Sequence, residues 1–164
     1  MKVYVSSAVG WGSTQLSAFD KALVDTGVAN YNLIRLSSVL PPESEVIELD
    51  GPIPPLPGSW GDRLYVVYAE MRSSTVGEEC WAGVGWVQDP VTKKGLFVEH
   101  EGHSEAQVRA DIDASLRDLQ KNRGMEELPI SSRVVGGACQ DNPICAFAVV
   151  AFQVSDWNNT AHLQ

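Results

Sequence analysis

Apolar and polar positions alternate over residues 2–9, the period of a half-buried strand. The period then lengthens. In "STQLSAFDKALVDTG" Leu16, Phe19 and Leu23 recur at helical spacing, Ser13 or Thr14 can cap the N-terminus, and Gly27 can end the helix. "VANYNLIRL" reads as a second strand, apolar enough at its end to be central in a sheet. "PPESEVIELDGPIPPLPGSWGD" carries six of the nine prolines and predicts a long surface loop. Strands are predicted for "RLYVVYAEMRSS", "ECWAGVGWVQ" and "GLFVEHEG", the last two joined through the hairpin signal "DPVTKKG". "SEAQVRADIDASLRDLQKNRG" is the best helix. Ser104 and Gln107 make a capping box, Val108, Ile112, Leu116 and Leu119 one stripe, and Gly124 a stop. "SSRVVGGAC" and "CAFAVVAFQV" read as closing strands, and the polar tail after Trp157 is expected to fray.

Two helices with six or seven strands on mostly short connections predict an α+β sandwich. The chain has no regular βαβ alternation, no GxGxxG fingerprint, no P-loop and no internal repeat.

Composition narrows the class. At 164 residues, 44% hydrophobic and 20% charged, the chain fits one ordinary globular domain. Its formal net charge of -9 disfavours nucleic acid and anionic membranes as partners; it is compatible with a cationic small substrate, though most acidic proteins are acidic only for solubility. No stretch approaches the roughly 18–20 apolar residues of a membrane span, and the opening apolar run is too short for a signal peptide. A cytoplasmic location is therefore expected, with Cys80, Cys139 and Cys145 as reduced core residues.

Individual residues carry less. His100 and His103 lie among Glu99 and Glu101, but no further ligand with defined geometry is evident, so a solvated strand end is expected and no metal. In a strand, Glu99 and Glu101 share one face and His100 takes the other. No GxSxG elbow accompanies the histidines. The glycines of "AGVGW" and "GWGS" read as bulges and turns rather than a phosphate cradle. Asp20 sits at the edge of the first helix's apolar face, Asn32 within the second strand as a buried amide needing partners, and Glu99 at the end of the apolar run "GLFVE", where a carboxyl suits proton donation. Ser37-Ser38 before Pro41-Pro42 is, by residue type alone, a turn.

Four stretches change that reading: "LSAFDKAL", "NYNLIRLSSVLPPESEV", "GLFVEHEG" and "CAFA". In this order they resemble the pyruvoyl-dependent arginine decarboxylases, and the similarity covers most of the chain. The second is the most specific, because it holds that family's self-cleavage site. The resemblance implies an αββα-type sandwich of largely antiparallel sheets. It implies self-cleavage into a β fragment (residues 1–37) and an α fragment (38–164), with a covalent pyruvoyl group made from Ser38 and no metal. It further implies conversion of L-arginine to agmatine and CO2 through a Schiff base on that group. Ser38 would be the cofactor precursor, Ser37 the other side of the cleaved bond, Asn32 an active-site amide and Glu99 the proton donor. Asp20 would hold the guanidinium, with Leu16 and Tyr31 lining the same pocket. Family members are trimers with sites between subunits, possibly paired into dimers of trimers. Tyr31 is bulkier than the small apolar residue expected beside Asn32, and Ala29 stands where a glycine is expected. A relative acting on another amino acid therefore stays open. So does an uncleaved, non-catalytic trimer serving as a binding or assembly partner.

Overall fold

The computed structural model describes residues 1–125 and 127–157; the tail expected to fray lies outside the described residues. Along the chain run β1 (Lys2–Trp11), α1 (Gln15–Thr26), β2 (Asn32–Arg35), β3 (Val39–Leu40), β4 (Glu45–Glu48) and β5 (Arg63–Ser73). They are followed by β6 (Glu79–Gln88), β7 (Gly95–Gly102), α2 (Glu105–Asn122), β8 (Ser131–Ala138) and β9 (Ile144–Ser155). The strands form two sheets, ordered β2-β5-β9-β1-β4 and β3-β7-β6-β8. All pairings are antiparallel except β1 with β4 and β2 with β5.

β9 explains the layering. Its residues from Ile144 to Ala151 are all buried because both faces are covered. Cys145, Phe147, Val149 and Ala151 pack beneath α1 with Ala18 and Ala22. Ala148 and Val150 point the other way and meet Val84 and Phe97 of the second sheet. α2 closes that sheet from outside, laying Val108, Ile112 and Leu116 over Val87, Leu96 and Val98. The result is an α+β sandwich of two largely antiparallel sheets with a helix outside each.

Both helices use the ends their sequences offer. Thr14 caps α1 in a reciprocal capping box with Ser17, and Gly27 ends it at φ 82°, a left-handed position that favours glycine. Ser104 caps α2 by accepting from the Gln107 backbone N–H. The β6 glycines are neither bulges nor turns, since β6 keeps unbroken register with β7 and β8. They let the helix approach: a Cβ on Gly85 would lie 2.2 Å from Ile112 Cγ2. The irregularity falls instead between Tyr65 and Val66, in the pairing of β5 with β9.

Two further expectations are corrected. The second strand is not central: β2 pairs only with β5 and forms a sheet edge, and it is cut to four residues because Asn30 lies in a turn, its carbonyl accepting from the Gly61 N–H. The proline-rich segment is not all loop. Glu45–Glu48 lies between its prolines and pairs in parallel with the start of β1. Cys80, Cys139 and Cys145 are free and buried, and burial pushes the Cys80 thiol up to about 11 and the Cys145 thiol up to about 12.

Candidate active site

The segment between β2 and β3 crosses from one sheet edge to the other, and Ser37-Ser38 is the crossing. Each side is tied down. Upstream, the Leu36 N–H donates to the Val66 carbonyl at 2.8 Å; downstream, the Ser38 carbonyl accepts from the Phe97 N–H at 2.8 Å. Between these anchors Ser38 adopts φ 69°, in the left-handed region that side-chain-bearing residues rarely occupy.

That torsion matters because it governs where the Ser38 side chain stands relative to the bond before it. At an ordinary φ near −60° Cβ lies anti to the Ser37 carbonyl carbon. At the observed φ it swings to the gauche side, about 50° from eclipsing that carbon. Cβ, which carries the hydroxyl, thus stands on the side of the Ser37–Ser38 peptide. The hydroxyl donates toward the Glu99 carboxylate, with Oε2 at 3.0 Å and Oε1 at 3.2 Å.

Glu99 reaches Ser38 because of strand alternation. It shares the β7 face of Phe97, which packs between the sheets, while His100 takes the opposite face under α2. There His100 Nε2 lies 2.8 Å from Ser115 Oγ. His100 is thus half-buried in a contact and is not the solvated strand end its sequence context implied. The cavity at this edge is about 510 Å³, and its lining includes Ser37, Ser38, Glu99, His100, Asp118 and Arg123. The residues that α2 contributes escaped the sequence reading. The signal was only a polar face on a helix, which solvent alone explains.

The remaining candidates lie elsewhere in the chain. Asp20 and Leu16 stand exposed on α1, which covers the opposite outer face of the sandwich from α2; Leu16 is 69% exposed. Asn32 is exposed rather than buried, and its Nδ2 donates to the Gly61 carbonyl at 2.6 Å. It starts the strand that runs toward Ser38, roughly 20 Å away along extended chain. Tyr31 turns its ring into the core beneath α1 and donates its hydroxyl to the Leu56 carbonyl at 3.1 Å. Within the chain the fold therefore joins Ser37, Ser38 and Glu99, and leaves Asp20, Leu16, Asn32 and Tyr31 outside that cavity. Among the described residues no group of three or more His, Cys, Asp or Glu side chains is gathered as a metal site.

Comparisons with known proteins bear on the chain as a whole. A model of the pyruvoyl-dependent arginine decarboxylase family matches residues 2–157. A pyruvoyl-dependent arginine decarboxylase of Methanocaldococcus jannaschii is 35% identical over 146 residues, covering 85% of this chain and 82% of that protein. The enzyme of the same name from Methanococcus aeolicus is 34% identical over 155 residues, with 90% and 87% covered. One from Thermococcus kodakarensis is 30% identical over 154 residues, with 91% and 92% covered. With a match that runs through both helices and both sheets, this chain belongs to the pyruvoyl-dependent arginine decarboxylase family.

Proposed function

We propose that this protein is a self-processing arginine decarboxylase whose pyruvoyl group arises from Ser38, and that it releases agmatine and CO2. The observation that carries this reading is the left-handed Ser38 with its hydroxyl on Glu99. A serine in that geometry fits the demands of the cofactor's precursor.

Maturation then proceeds on the chain's own atoms. Glu99 takes the Oγ proton, and Oγ attacks the Ser37 carbonyl carbon. The Ser37 C–N bond breaks, its nitrogen picks up a proton, and an ester replaces the amide. An amide resists this exchange through its resonance, so a strained, pre-oriented peptide lowers the barrier. Loss of the Ser38 Cα proton next expels the Ser37 carboxylate with both its oxygens, breaking the Cβ–Oγ bond. The remaining enamine tautomerises, one water adds, and ammonia leaves. The chain becomes residues 1–37 and residues 38–164.

The ketone so formed supplies an electrophile for the substrate's α-amine and a sink for the electrons released with CO2. The protein's residues do the rest. Glu99, beside position 38, holds the proton that the substrate's α-carbon needs after CO2 departs. Asp20 pairs its carboxylate with the guanidinium fork. Since Asp20, Leu16, Asn32 and Tyr31 lie away from the Ser38 cavity of their own protomer, a neighbouring protomer brings them to it. A trimer, or two trimers together, satisfies this. The exposure of Leu16, Ile34 and Val39 in the single chain supports such an assembly.

Intact-mass analysis of purified protein, followed by an assay of CO2 release from arginine, tests the reading. Two fragments split between Ser37 and Ser38, a carbonyl-reactive N-terminus on the larger, and release of CO2 are expected. A single unreactive chain would overturn it.

A further inference from the structure

Cleavage leaves a charge that the mechanism does not use. Ser37, neutral in the intact chain, ends as a free carboxylate beside Glu99 and Asp118, the two other carboxylates lining the same cavity. Three negative groups at one site repel one another unless a cation intervenes. The lining contains one permanently charged cation, Arg123.

Arg123 is available. It caps the C-terminal end of α2 through its backbone, at φ −98°, and stands exposed. Among the described residues its side chain makes no hydrogen bond or ion pair, unlike Arg109 and Arg117 on the same helix, which are paired with Glu105 and Asp113. It lines both the Ser38 cavity and the adjoining one around Pro41 and Pro42, so it stands at the rim between the two. Of the other cations nearby, Lys94 lines only the adjoining cavity, and two more are already engaged. Arg35 donates to the Tyr68 carbonyl at 2.6 Å with its guanidinium 4.2 Å above the Tyr68 ring, and the N-terminal ammonium donates to the Glu43 carbonyl.

We propose that Arg123 receives the new Ser37 carboxylate after self-cleavage and pins the tail of the small fragment at the cavity rim. The guanidinium fork matches a carboxylate, and the pairing keeps the tail's charge from competing with Glu99 and Asp118 for a cationic substrate. The proposal rests on the self-cleavage reading above.

Carboxypeptidase digestion of the processed protein tests it, because the enzyme trims Ser37 only from a loosened tail. Release of Ser37 is expected to be about two- to fivefold faster in Arg123→Gln than in wild type, the range an exposed ion pair supports. Arg123→Lys should fall near wild type, since it keeps the charge. Lys94→Gln should not change the rate, because Lys94 lines the adjoining cavity but not that of Ser37. In about 0.5 M salt, wild type should approach Arg123→Gln, because the pair is screened. Equal trimming of wild type and Arg123→Gln, or an equal acceleration by Lys94→Gln, overturns the proposal. Intact mass read before digestion separates the two levels. An uncleaved wild type removes both the proposal and the reading beneath it, whereas cleavage with equal trimming removes the proposal alone.

Discussion

Ser38 and Glu99 stand 61 residues apart in the chain, and the Ser38 hydroxyl donates toward both oxygens of the Glu99 carboxylate. In the proposed mechanism one group thereby faces the attacking oxygen of maturation and, afterward, the position where substrate carbon is reprotonated. Glu99→Gln separates the two duties. The amide can still accept the Ser38 hydrogen bond but takes and gives no proton. Cleavage is expected to slow yet reach completion, and turnover of the processed enzyme to fall about 10²–10⁴-fold. Wild-type turnover in fully processed Glu99→Gln, measured by CO2 release, would take the proton-donor role away from this residue.

The attacking atom itself is tested at Ser38. Ser38→Ala lacks Oγ and should remain one chain by intact mass, whereas Ser37→Ala keeps the attacked carbonyl and should still cleave, more slowly. A cut between 37 and 38 in Ser38→Ala would exclude the acyl-shift route.

The role proposed for Asp20 is tested through its charge. Asp20→Asn preserves size and removes the charge, and breaking a desolvated charge pair costs about 2–5 kcal/mol. For arginine, kcat/KM should drop at least about tenfold, with self-cleavage intact because it needs no substrate. Citrulline, neutral and nearly isosteric, should lose less. Equal losses for both would assign Asp20 to the fold or the assembly instead.

Packing of α2 on β6 depends on the absent side chain of Gly85. Gly85→Ala places a Cβ 2.2 Å from Ile112 Cγ2 and 3.2 Å from Leu116 Cδ1, so the helix must shift. A loss of about 1–3 kcal/mol in denaturant unfolding is expected. Adding Ile112→Ala removes the clashing atom, so the pair should lose less than the two single losses summed. Simple additivity would mean that the helix does not rest on this glycine.

The buried thiols set an alkaline limit. Cys145 ionises at about 12 in the folded chain against an ordinary 9.0, because burial penalises the thiolate. The folded state therefore holds this proton more tightly than the unfolded chain. Its contribution is fully present below pH 9 and is lost as pH rises toward 12. The melting temperature of wild type should fall more steeply between pH 9 and 11 than that of Cys145→Ala. Parallel curves would show that the thiol does not couple to unfolding.

Local patterning was enough for the parts of this protein that depend on neighbours in sequence. The helical spacing of Leu16, Phe19 and Leu23, the caps at Thr14 and Ser104, and the stop at Gly27 are short-range effects, and they appear where the sequence puts them. The resemblance carried by the Ser37-Ser38 stretch identified the family, because four ordered motifs carry information that residue types alone do not. Tertiary structure decided everything that needs two distant segments to meet. Whether Asn32–Arg35 forms a central or an edge strand depends on what pairs with its second side, which its own apolar content cannot specify. Glu45–Glu48 became a strand because β1 offered an open edge beside it. His100 found Ser115, and Arg123 reached the cavity rim, only because α2 folds back over β7. Ser38 holds its left-handed torsion between anchors on two different sheets, at Val66 and Phe97. No local preference of serine favours that torsion, so the geometry at the proposed cleavage site is a product of the whole sandwich.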